Sequence, residues 1–248
     1  MFKLVTFDIY ETLLKTRKPL GEMYTQAGKS FGIHGVNPDV VAANFKSQWI
    51  NMWTTHPNFG LHSGLGWEAW WKNIVRCTFK NSTNENINEE KLDQVGLYLI
   101  ELFSTKEGWS CEDGALDLLH YLASCKVHMG VISNFDPRLH SILKELKLSD
   151  YFSFILTSYE TSYLKPDINI FKIAQRTYEN QSGLKLEETS ALHIGNSVEL
   201  DVKGASNAGW NAALISNELN SGSHKNGKRV MFFKNLSDLN KYFVSRLN

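Results

Sequence analysis

A chain of 248 residues has room for one α/β core with an inserted module, or for two small domains. Its 42% hydrophobic and 21% charged content is that of an ordinary globular protein. The 26 lysines and arginines balance the 26 aspartates and glutamates, so no net field draws in nucleic acid or an anionic membrane, and any anion site has to be local.

Residues 3–8 (KLVTFD) are rich in β-branched and aromatic types and end on a carboxylate, which predicts a buried strand. This apolar run is too short for a signal peptide, and Asp8 interrupts it. A turn is expected at 9–12. From Pro19 to Phe103 the pattern becomes amphipathic helix throughout, with helices predicted at 20–31, 39–53, 67–79 and 89–102. Loops are predicted at 56–66, from Pro and Gly content, and at 81–88, from polar composition. Trp49, Trp53, Trp67, Trp70 and Trp71 all fall in this insertion, at spacings that place them on shared helix faces. They predict the packing core of a small bundle, the alternative being an aromatic wall over a substrate pocket.

Beyond Trp109 the elements alternate. Helices are expected at 114–124, 138–146, 167–178, 198–208 and 238–244, and strands at 127–133, 152–157, 191–195, 212–215 and 230–233. This alternation predicts a parallel sheet covered on both faces, which the amino-terminal strand must join. The polar stretch 217–228 reads as an exposed loop. No segment approaches the roughly 20 apolar residues of a membrane span. Cys77, Cys111 and Cys125 show no CxxC spacing and read as reduced thiols, and the expected compartment is cytoplasmic or nuclear.

Ligands of open α/β sheets bind outside the carboxyl ends of the strands. Polar groups fall at or near four such ends: Asp8, the Ser133–Asn134 pair, Lys165, and Asn196 with Asp201. One carboxylate at a strand end is ordinarily a turn residue or a helix cap, but four such groups at successive ends point to a site. Asp167, two residues after Lys165, reads as the cap of its helix. His193, inside ALHIG, reads as a plain strand residue. Gly204 and Gly209 fit helix packing and a helix end. There is no GxGxxG or Walker sequence, and the eight histidines show no metal-ligand spacing.

The segments FDIYETLL, VISNFD, LKPDINIF and IGNSVELDVKGASNAGW resemble the four motifs of the haloacid dehalogenase (HAD) superfamily, and the resemblance spans the chain. The stretches PLGEMYTQAGKSFG, HPNFGLHSGLGWEAWW, GVISNFDPRL and SYLKPDINIF resemble a narrower subfamily whose physiological substrate is poorly defined. The implied fold is a Rossmann-like α/β core with a parallel sheet (residues 1–15 and 109–248) and an all-helical cap inserted after the first strand (residues 16–108). The resemblance makes Asp8 the nucleophile, which would attack phosphorus and form a covalent intermediate. It makes Ser133, the backbone N–H of Asn134, and Lys165 the holders of a phosphoryl group. Mg²⁺ is the implied cofactor, at a weakened site formed by Asp8, the backbone carbonyl of Tyr10, Asn196 and Asp201.

Two positions depart from the phosphatase pattern. Tyr10 stands where family phosphatases carry the aspartate that acts as general acid and base, and a phenol is a poor base at neutral pH. Asn196 stands where the fourth motif reads Gly-Asp, and an amide brings no charge to a metal. Glu11 is expected to point away from the site, as the next residue of an extended segment would. Glu199 is expected to be a solvated residue at a helix start. The expected activity is therefore a weak or highly specific Mg²⁺-dependent phosphatase of a small phosphomonoester. The alternative is a catalytically degenerate relative that binds a ligand or a protein. A further alternative comes from the L-2-haloacid dehalogenases, metal-independent members whose first motif reads D-x-Y-G-T; DIYET is similar. Their halide-binding cap arginine has no secure counterpart, since Arg17 and Arg76 are the only arginines before residue 109.

Overall fold

The structure is a computed structural model that describes residues 2–217 and 230–247; the stretch read as an exposed loop lies, from residue 218 onward, outside the described residues. In chain order the elements are β1 (Leu4–Phe7), β2 (Leu14–Thr16), α1 (Leu20–Ser30), α2 (Pro38–Thr55), α3 (Trp67–Ser82) and α4 (Glu89–Leu102). There follow β3 (Trp109–Cys111), α5 (Ala115–Ser124), β4 (His128–Ser133), α6 (Arg138–Glu145), β5 (Phe154–Thr157) and α7 (Ser158–Thr161). The remainder is α8 (Ile168–Ser182), β6 (Ala191–Gly195), α9 (Lys203–Asn207), β7 (Asn211–Ile215), β8 (Val230–Phe233) and α10 (Leu236–Leu247). The chain divides into two compact units, Met1–Lys15 with Cys111–Asn248, and Thr16–Ser110.

The first unit is a Rossmann-like α/β core. Its six strands run parallel in the order β5-β4-β1-β6-β7-β8. All four residues of β1 are buried, which is why LVTF reads as an unbroken apolar run apart from Thr6. From β1 the sheet grows one way through β4 and β5 and the other way through β6, β7 and β8. Such a reversal opens a crevice beyond the carboxyl ends of the flanking strands. Asp8, Ser133 and Asn196 stand at or just past the ends of β1, β4 and β6. One hydrophobic layer joins Leu4, Ile132 and Ala191 of the sheet to Ile170, Phe171 and Ala174 of α8. Asp167 caps α8 as expected, its side chain accepting from the N–H of Asn169 at 2.8 Å.

Residues 198–208, read as one helix, are instead a π-helical turn at Val198–Val202 followed by α9. Ser197 caps this turn by accepting from the Leu200 N–H, and Asp201 folds back to take the N–H of Ser197. A regular helix from 198 would carry Asp201 away from that amide; one wide turn admits both contacts. The strand expected at 152–157 begins at Phe154 because Ser149–Tyr151 closes a 3-10 turn. The β2–β3 pair was not evident in the sequence, being only three residues on each side.

The second unit is an all-helical insertion of α1 to α4. Tyr24, Val41, Val75, Phe79, Leu92, Val95 and Leu99 form its main core. Gly21 lets α1 meet the start of α2, since a Cβ there would lie 2.1 Å from the Pro38 carbonyl oxygen. Trp49, Trp53, Trp70 and Trp71 pack against aromatic neighbours: Trp70 is fully buried against Phe59, Trp53 and Trp71, and its indole N–H donates to the His56 carbonyl at 2.9 Å. Trp49 stacks on Trp53 at 5.0 Å between ring centres. Among the described residues, no helix is long and apolar enough to cross a membrane.

Candidate active site

Three segments of the core converge on Asp8. Its N–H donates to the Ile194 carbonyl at 2.8 Å, which extends the β1–β6 ladder by one residue and anchors the carboxylate at the strand end. Ser133 Oγ, at the end of β4, donates to Asp8 Oδ1 at 2.9 Å. Lys165 Nζ donates to the same oxygen at 2.7 Å and to Asp201 Oδ1 at 2.6 Å. The Lys165 side chain is 1% exposed, against 13% for Asp8 and 2% for Asp201, so the ammonium is enclosed while Asp8 keeps part of its surface open.

Lys165 lies outside regular structure, and Asn134 holds its backbone. Asn134 Oδ1 accepts from the Lys165 N–H at 2.7 Å and Asn134 Nδ2 donates to the Lys165 carbonyl at 3.1 Å. This two-point grip pairs the amide with a peptide group as a strand would. The sequence reading assigned only the backbone N–H of Asn134 to the site; the side chain's part was missed.

His193 was missed as well. In register it faces Thr6 across the β1–β6 pair, and Thr6 Oγ1 lies 2.9 Å from its Nδ1. Its Nε2 is 3.0 Å from Asp201 Oδ1. A carboxylate only accepts, so the proton belongs on Nε2 and the Thr6 hydroxyl donates to Nδ1. Burial, foremost, and the nearby Lys165 ammonium lower the His193 pKa, against the hydrogen bond to Asp201, so the ring is neutral. The available signal was a polar residue facing a threonine in adjacent all-buried strands.

Asp201 receives three donors: Lys165 and His193 on Oδ1, and the Ser197 N–H on Oδ2 at 2.9 Å. Burial alone would raise its pKa, but the Lys165 charge and the His193 hydrogen bond outweigh that, and the net shift is downward. Lys165 is the mirror case: burial disfavours its charge, Asp201 and Asp8 together overcome this, and its pKa is raised. Gly195 makes room for the arrangement, because a Cβ there would sit 2.2 Å from Asp201 Cγ. One ammonium faces two carboxylates beside a neutral imidazole, so the cluster carries one surplus negative charge.

Tyr10, Glu11 and Asn196 form the exposed side of the site. The Tyr10 phenol is pushed up to about 12 by partial burial and by the adjacent Glu11 carboxylate, to which it is hydrogen-bonded. This places it further from a usable base than an ordinary phenol. Glu11 does not point away. Its backbone is left-handed (φ 56°), the bend that closes the turn over the Ile9 carbonyl, and Asn196 Nδ2 donates to Glu11 Oε2 at 3.4 Å. The expected alternation of faces fails because the segment is a turn at this residue, not a strand. Glu199 is exposed and ion-paired with Lys203, as a solvated helix-start residue would be.

Among the described residues, no three His, Cys, Asp or Glu side chains form a metal-binding group. The oxygens of Asp8, the Tyr10 carbonyl, Asn196 and Glu11 are nevertheless the hard donors that Mg²⁺ prefers, and the surplus negative charge favours a cation.

A family model described as haloacid dehalogenase-like hydrolase matches residues 2–209. The chain is 38% identical over 223 residues to the rhythmically expressed gene 2 protein of Drosophila melanogaster, covering 86% of this chain and 83% of that one. It is 32% identical over 213 residues to the human haloacid dehalogenase-like hydrolase domain-containing protein 3, covering 86% and 81%. Among solved structures, the HAD-hydrolase YfnB of Bacillus subtilis, crystallised with magnesium, superposes with a TM-score of 0.68 over 98% of this chain and 99% of its own. At 16% identity that match speaks for the fold alone.

Proposed function

The chain belongs to the haloacid dehalogenase-like hydrolase family, and from that premise we propose that it transfers the phosphoryl group of a small phosphomonoester to Asp8 and hydrolyses the resulting acyl phosphate slowly. The observation that carries this reading is the shared grip of Lys165 and Ser133 on Asp8 Oδ1, at 2.7 and 2.9 Å. It leaves the carboxylate's other oxygen as the attacking atom, and both donors can also serve an incoming phosphoryl oxygen. In the first step Asp8 forms a bond to phosphorus as the ester P–O bond breaks, and the leaving oxygen departs as a stable phenolate or takes a proton from solvent water. In the second, water attacks phosphorus, Asp8 leaves, and a base must take the proton. Tyr10, held near 12, is unsuited to that role.

Asp8, the Tyr10 carbonyl and Asn196 would hold Mg²⁺, which when bound supplies charge compensation for an incoming dianion. Asp201 serves Lys165 in this reading, since all three of its donors are protein groups. The dehalogenase reading is disfavoured by the pairing of Arg17 with Glu107 and of Arg76 with Glu89 and Asp93. A binding protein without turnover is the second reading, favoured by the Tyr10 phenol and by the uncharged amide at Asn196.

The test is turnover of an aryl phosphate with Mg²⁺, together with acid-quench trapping of phosphoenzyme. Wild type is expected to accumulate phosphoenzyme and Asp8→Asn to form none. Equal background rates and no trapped phosphate in either protein would reject catalysis at Asp8.

A further inference from the structure

The exposed side of the site contains a carboxylate that the family motifs do not assign. We propose that Glu11 supplies the negative charge that Asn196 lacks, so that the cation-binding corner is made by Asp8, the Tyr10 carbonyl, the Asn196 amide oxygen and Glu11. This deepens the Proposed function and rests on its cation site.

Three observations carry it. Glu11 sits at φ 56°, a backbone region that residues with a side chain rarely adopt and glycine adopts freely. The turn is held there by the Glu11 N–H to the Leu14 carbonyl at 2.7 Å and by the Leu13 and Leu14 N–H groups, both donating to the Ile9 carbonyl at 2.9 Å. The fixed turn brings the Glu11 carboxylate against two neighbours, the Tyr10 phenol, to which it is hydrogen-bonded, and the Asn196 amide. Asn196 Nδ2 is 3.4 Å from Glu11 Oε2. A half-turn of the amide replaces its nitrogen with its oxygen, and two oxygen donors then lie side by side next to the Asp8 strand end. In the absence of a cation the amide N–H₂ group is the natural neighbour of the carboxylate; with one, the amide oxygen is. Third, the surplus charge of the buried cluster is a single unit, shared between Asp8 and partners already committed to Lys165. A divalent ion beside it needs a second anionic donor, and Glu11 is placed to be one.

The experiment uses the full chain and binds Mn²⁺ alone, followed by electron paramagnetic resonance, with Mg²⁺ alone followed by calorimetry. The variants are Asp8→Asn, Glu11→Gln, Glu11→Gly and Glu11→Gln with Asn196→Asp. Wild-type binding is expected to depend on Asp8, and Glu11→Gln to weaken it about tenfold or more. Glu11→Gly should weaken binding equally while its melting temperature stays at or above wild type, because glycine relieves the left-handed backbone. Adding Asn196→Asp to Glu11→Gln should recover wild-type affinity. Asp8-dependent binding that is unchanged in both Glu11 variants overturns the inference and leaves the cation site standing. Absence of any Asp8-dependent binding in wild type overturns the cation site and this inference together.

Discussion

The two sides of the site are built on opposite principles. On the buried side, Lys165, Asp201, His193 and Thr6 form a continuous chain of short contacts that ends on Asp8, and every member but Asp8 is at most 2% exposed. On the other side, Tyr10 is 43% exposed and Glu11 and Asn196 meet over 3.4 Å. Charges enclosed at low dielectric must be paired or the fold fails, so the buried side is rigid by necessity. The open side has no such requirement. It can change its chemistry without cost to folding, and that is where this chain departs from the phosphatase pattern.

The sharpest way to break this contrast is to remove the buried cation. Lys165→Met strands two carboxylates and is expected to cost about 3–5 kcal/mol in urea unfolding. Adding Asp201→Asn should recover part of that loss. A cost under about 1 kcal/mol would mean that the enclosed pairs do not hold the site together. On the open side the largest effect should be kinetic. Tyr10→Asp supplies the missing base and is expected to speed phosphoenzyme breakdown by about 10²-fold in single-turnover measurements, with stability nearly unchanged. No acceleration would show that the missing base is not what limits the second step.

The smallest effect concerns pH. His193 has its pKa lowered, so it stays neutral in the fold while the unfolded chain binds a proton below about 6.5. The unfolded state then holds more protons, and stability falls as the pH drops through that range. Asp201 is shifted down, so its contribution persists until the pH falls below the ordinary aspartate value of about 3.9. The window from pH 7 to 5 therefore separates His193 from Asp201, and the comparison with a His193 variant separates it from the other histidines. The melting temperature of His193→Gln should decline less over that window than that of wild type. Parallel declines would place a charged His193 in the folded protein.

How much could be read in advance differs residue by residue. Asp8, Ser133, Lys165 and Asp201 were identifiable because each sits close to a strand end or a helix start, and those features follow from local periodicity and turn composition. The structure brings all four within hydrogen-bond reach of one another through Lys165 and Asp8. His193 looked like filler because its partner Thr6 lies 187 positions away, and only parallel pairing of β1 with β6 makes them neighbours. The Asn134 side chain is similar: its partner is the backbone of Lys165, 31 residues on, in a segment with no periodicity to read.

Sequence alone specified the alternation of strands and helices and the helical insertion after the first strand, while the two departures at Tyr10 and Asn196 came from the resemblance to the family's motifs. The alternation and the insertion depend on residue type and spacing along the chain, which is local information. Tertiary structure decided what the departures mean. It bent the backbone at Glu11 into the left-handed region and so placed a carboxylate beside Asn196, where an extended chain would have sent it the other way. It also turned Asp201 inward to hold Lys165, through one wide helical turn and the space left by Gly195. Both outcomes rest on contacts between segments far apart in sequence, whose geometry exists only once the sheet has formed.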